Sequence, residues 1–159
     1  MKRIPVLFLQ AVIVFIGVLV LAVLVCAPLT EGRATNLDLF TIYSDPFILY
    51  GYAISIAFFV ALYQLFKLLG YIGRRHVFSP GAVKTLKAIK LCAIILSASI
   101  VAGGLYIMGF HHKADDPAGF IMVCAVTAFA AIVAATAAAI GERILQNAVG
   151  MKVENDLTI

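Results

Sequence analysis

A chain of 159 residues that is 64% hydrophobic and only 13% charged has no polar stretch longer than about 18 residues, too short for an independent water-soluble core. The formal charge of +4 does not mark a nucleic-acid binder, because the basic residues are spread between apolar runs rather than gathered on one soluble face. Composition excludes a soluble domain, and with it direct nucleic-acid binding.

Four apolar runs, 5–28, 47–69, 88–110 and 118–141, each match the roughly 20 residues a helix needs to cross a bilayer. The backbone must satisfy its hydrogen bonds internally in lipid, so runs of this length are helices. The first run follows Lys2 and Arg3, as a signal peptide would. It is too long for one, however, and Pro28 stands where processing would occur. It is therefore expected to be an uncleaved span. Cys26, Cys92 and Cys124 lie within or at the edge of spans and are odd in number, which points to small packing residues rather than a disulfide framework.

The connection 29–46 opens after Pro28 and contains the apolar stretch Leu39-Phe40-Thr41-Ile42-Tyr43, read as a short segment dipping into the interface. The second run ends at Gly70 and Gly73, where helix termination is expected. Ser79-Pro80 then reads as an N-cap with proline at the first helical position. Helix three therefore starts in water near residue 80, with Lys84, Lys87 and Lys90 on one stripe beside Val83, Leu86 and Ile89. In helix four, Ala130, Ala134 and Ala138 form one small-residue row, and Thr127, Ala131, Ala135 and Ala139 the next. Such rows permit close helix approach, with Gly103-Gly104 as the partner surface within one chain; a homo-oligomer through the same face is the alternative. Residues 142–159 extend helix four as an amphipathic tail along the cytoplasmic surface.

Ten of the twelve Lys and Arg residues fall at the N-terminus, in the middle connection with its flanks, and in the tail; Arg33 and Lys113 are the exceptions. Positive residues stay inside, so the expected fold is all-α: a single domain of four transmembrane helices in an antiparallel bundle, both termini cytoplasmic, in a bacterial cytoplasmic membrane.

No ionisable residue is placed deep in the spans, Lys90 being assigned to the flank of the middle connection. That removes the usual signature of proton-coupled transport or intramembrane catalysis, and the expectation is a protein that is not an enzyme and carries no cofactor. The turn His111, His112, Asp115, Asp116 has metal-ligand chemistry, but adjacent residues on a turn diverge, so a solvated turn is preferred over a metal site. Tyr63, Gln64 and Ser97 are the groups that would line a cavity or pack between helices. Arg74, Arg75, Lys84 and Lys87 face three readings: a topology signal, contact with anionic lipids, or docking of an acidic partner. Glu154 and Asp156 in the tail carry the opposite charge and can pair with them.

The run Phe59-Val60-Ala61-Leu62-Tyr63-Gln64-Leu65-Phe66-Lys67-Leu68-Leu69, followed by Tyr71-Ile72, Phe78-Ser79, Val83, Leu86-Lys87, Ile89-Lys90 and the terminal Glu154-Asn155-Asp156-Leu157-Thr158, resembles the YoaS-like family of small four-span bacterial membrane proteins of unknown function. The resemblance covers nearly the whole chain. It implies no activity, but members of that family are often encoded beside a small Xre-type helix-turn-helix regulator, which implies a membrane sensor or anchor for a repressor. The expected function is a non-enzymatic membrane signalling or regulatory protein. A small-molecule or peptide binding protein of the immunity or efflux-accessory kind is the alternative.

Overall fold

The computed structural model describes residues 3–30, 46–74, 76–110 and 118–156. They form four helices: α1 (Arg3–Thr30), α2 (Pro46–Gly73), α3 (Pro80–Phe110) and α4 (Ala118–Asp156). Each is long and apolar enough to cross a membrane. The segment 39–43, the turn 111–117 and Arg75 lie outside the described residues.

Helix ends follow local chemistry. Pro46 and Pro80 each occupy a first helical position, where a missing N–H costs nothing. Ser79 caps α3: its hydroxyl oxygen accepts from Ala82 N–H at 3.3 Å, and its carbonyl accepts from the N–H groups of Ala82 and Val83. The C-terminal turn of α2 is closed by Arg74 N–H donating to Gly70 and His76 N–H donating to Tyr71. The first helix continues two residues beyond Pro28, to Thr30. Proline has no N–H for the carbonyl four residues back, that of Leu24. Tyr52 of α2 supplies the missing donor, its hydroxyl bonding Leu24 O at 2.9 Å. An apolar environment offers no water for that carbonyl, so this bond lets the helix run past its proline.

Neighbouring helices pack in chain order, α1 on α2, α2 on α3, and most intimately α3 on α4. Along α1 and α2 the contacts run from Val6 against Gly73, through Gln10 Nε2 donating to Phe66 O and Gly17 against Leu62, to Tyr52 on Leu24. Between α2 and α3, Tyr71 lies over Gly81, and Tyr50 crosses Gly103 to donate to Ser99 O at 2.8 Å. A Cβ at Gly103 would stand 3.1 Å from the Tyr50 ring, so the glycine is what admits the ring. Gly104 turns the other way, toward Cys124 of α4. The two adjacent glycines thus serve two different neighbours.

The α3–α4 seam is built from small side chains. Ala82, Thr85, Ala93 and Ser97 are buried on α3, and Ala128, Ala135, Ala138 and Glu142 on α4. The two alanine rows expected from sequence reach the seam only in part: Ala135 and Ala138 are buried and Ala131 and Ala139 half-buried, while Ala130, Ala134 and Thr127 are exposed. A step of four residues advances about 400°, so each such row drifts some 40° per step and winds off the contact. The buried set steps by seven, three and four, which holds it on the seam. The outward faces are bare: Leu7, Phe8 and Phe15 of α1 and Met122 and Phe129 of α4 are all more than 60% exposed, an apolar surface suited to lipid.

Candidate functional site: an ion pair between helices and the basic end

Among the described residues, the closest polar contact between elements joins Lys90 of α3 to Glu142 of α4. Lys90 Nζ donates to Glu142 Oε2, and Gln146 Nε2, one turn further along α4, donates to Oε1 at 3.3 Å. Both carboxylate oxygens are therefore engaged. The Glu142 side chain is 9% exposed and that of Lys90 30%, so the acid is enclosed while the lysine stem reaches outward. The small residues of the seam make this geometry available: Gly141 presents only hydrogen toward Leu86, where an added Cβ would already be in contact at 3.6 Å.

The depth of this pair follows from helix register. Tyr71 sits on Gly81, and Leu62 precedes Tyr71 by the same nine residues by which Lys90 follows Gly81. At 1.5 Å per residue both lie roughly 14 Å from that contact, on one level. Leu62 in turn touches Gly17, which lies well inside the apolar run Ile4–Cys26 of α1. The ion pair is thus level with the interior of an apolar helix. This corrects the expectation that no ionisable residue lies deep in the spans, because Lys90 and Glu142 fall within the apolar helices Pro80–Gly109 and Ala118–Glu154 and not at a loop flank and the start of a tail. Charges at such depth are costly and are retained when paired or when they serve function.

Among the described residues, one end of the molecule gathers most of the remaining charged side chains. Arg74, Lys84 and Lys87 are exposed there, as are Lys152 and Glu154 on the last turns of α4. Two clefts open at this end, one of about 610 Å³ between residues 76–80 and the α4 segment 148–152, and one of about 350 Å³ between Gln10 and Arg74. The other residues singled out from sequence are dispersed. Tyr63 is 64% exposed and points out of the bundle, Gln64 is half-buried, and Ser97 lies buried in the α3–α4 seam. Neither cleft is lined by any of these three. The side chain of Asp156, and His111, His112, Asp115 and Asp116, lie outside the described residues. In the sequence Glu142 is only the first charge after the uncharged run from Ala118 to Gly141, followed at once by Arg143, so it reads there as an interfacial residue.

Four long apolar helices, lipid-suited faces and an ion pair between two of them define a polytopic helical membrane protein. Its chain belongs to the family described as protein of unknown function DUF2975, whose pattern matches residues 11–159. It is similar to the uncharacterized membrane protein YoaS of Bacillus subtilis (strain 168), with 35% identity over 161 residues and the full length of both chains covered. No solved structure matches the chain.

Proposed function

We propose that this protein is a non-enzymatic regulatory component of the bacterial cytoplasmic membrane that passes a change within its helices to a cytoplasmic partner, of the Xre-type helix-turn-helix class. In this reading the helices form an antiparallel bundle with both termini inside. Falling partner numbers along each helix pair support the antiparallel order: Val6, Gly17 and Leu24 meet Gly73, Leu62 and Tyr52. The ten-to-two asymmetry of basic residues supports the orientation.

The observation that carries the reading is the continuity of α4. One helix, Ala118–Asp156, joins the small-residue seam, the Lys90–Glu142 pair and the exposed end bearing Lys152 and Glu154. A helix of this length moves as a rod, so a shift that parts the ion pair displaces the exposed end with it. Arg74, Lys84 and Lys87 lie at the same end and offer a cationic surface to an acidic partner. The alternative, a ligand cavity between helices built on Tyr63, Gln64 and Ser97, has less support, since Tyr63 faces outward and Ser97 is enclosed by the seam.

The test is transcriptional. Deleting the gene should change expression of its own operon, and a variant carrying Lys84→Gln with Lys87→Gln should reproduce the deletion while reaching the membrane at normal levels. An unchanged operon in both strains would remove the regulatory reading.

A further inference from the structure

The larger cleft at the basic end shares only Lys152 with the regulatory reading, and the rest of its lining has no part in it. It runs between the α2–α3 connection, with His76, Phe78 and Ser79, and the α4 segment carrying Ala148, Met151 and Lys152. Its depth follows from the same register. Ser79 lies two residues before Gly81, Gly73 lies two residues after Tyr71, and Gly73 packs on Val6. The cleft is therefore level with the start of the apolar run Ile4–Cys26 of α1, and Lys152 lies ten residues, about 15 Å, beyond the ion pair at Glu142. That is where hydrocarbon gives way to headgroups.

The lining matches what occupies that level. Lys152 and His76 stand on opposite walls, and among the described residues no Asp or Glu lines the cleft. The Ser79 hydroxyl, which accepts from Ala82 N–H, keeps its own proton to donate. Beside these groups, Phe78 and Met151 are 57% and 63% exposed, large apolar side chains at the rim. Cationic and hydrogen-bonding walls with an apolar rim, at headgroup depth, complement a molecule whose anionic head and hydrocarbon chains meet at that level. We infer that this cleft is a binding site for an anionic phospholipid, with its phosphate between Lys152, His76 and Ser79 and its acyl chains along Phe78 and Met151. The site is separate from the Lys84 and Lys87 surface, so either assignment can fail without the other.

The experiment is native mass spectrometry of the full-length protein in mild detergent, titrated with phosphatidylglycerol, phosphatidylcholine or inorganic phosphate. Phosphatidylglycerol should be retained in preference to phosphatidylcholine, and inorganic phosphate should not displace it. Lys152→Gln should weaken retention about five-fold, the effect of removing one basic contact at a membrane surface. Ala148→Trp, which fills the cleft without removing charge, should act in the same direction. Lys67→Gln, an exposed lysine outside the cleft, should change retention far less. Lys152 is exposed, so its variant keeps the fold and carries the test if Ala148→Trp does not. Equal binding of the two lipids, displacement by phosphate, or an equal loss in Lys67→Gln would overturn the site.

Discussion

Lys90 and Glu142, 52 residues apart in sequence, close an ion pair across α3 and α4 at the level of Gly17, inside the apolar run of α1. Removing one partner strands the other. Glu142→Gln should destabilise the protein by roughly 1–3 kcal/mol, less than the ~3–5 kcal/mol of fully buried pairs because the Lys90 stem can carry its charge outward. The double variant with Lys90→Gln should recover part of that loss. Thermal unfolding in detergent of the two single variants and the double variant forms a mutant cycle, and strict additivity would mean the pair contributes no coupling.

Tyr52 and Pro28 make a second linked pair. Tyr52→Phe takes the hydroxyl donor from the Leu24 carbonyl, which Pro28 deprives of its helical partner, and should cost about 1–2 kcal/mol. Pro28→Ala returns a backbone N–H to that carbonyl, so it should suppress most of the defect. If Tyr52→Phe is equally harmful in both backgrounds, the hydroxyl is not compensating for the proline.

Adjacent alanines on α4 should respond in opposite ways. Ala135 is 8% exposed on the seam, and enlarging it to Leu should cost roughly 1–3 kcal/mol by overpacking. Ala134 is exposed, and the same change there should stay within about 0.5 kcal/mol. Similar melting shifts at both positions would place the helix contact elsewhere.

Orientation is open to direct measurement. In a background lacking Cys26, Cys92 and Cys124, single cysteines at positions 36 and 114 should label from outside intact cells, and those at 76 and 155 only after permeabilisation. Outside labelling at 76 would reverse the proposed topology.

The regulatory reading meets its sharpest test at the tail. If the basic surface and the acidic end act together, deleting residues 154–159 should alter operon expression in the same direction as Lys84→Gln with Lys87→Gln, with insertion unchanged because Lys2, Arg3, Arg74 and Arg143 still orient the chain. Normal expression in both variants would leave these residues as topology signals alone.

What the sequence determined by itself was the set of helices and several of their ends. Hydrocarbon demands long apolar runs whose backbone bonds are internal, a requirement visible one residue at a time, and the start at Ser79-Pro80 is equally local because capping involves only the first turn. Which faces meet is a different kind of fact. The rows Ala130–Ala134–Ala138 and Ala131–Ala135–Ala139 are almost indistinguishable in composition, and only the course of α3 across α4 selects Ala128, Ala135 and Ala138 for burial while leaving Ala130 and Ala134 exposed. The same crossing gives Lys90 and Glu142 their meaning. Each sits near the end of its own apolar run and reads there as an interfacial charge, and their joint depth exists only once Gly81 has docked on Tyr71 and Leu62 on Gly17. Depth and pairing are sums over several helix contacts, so the tertiary structure alone decided them.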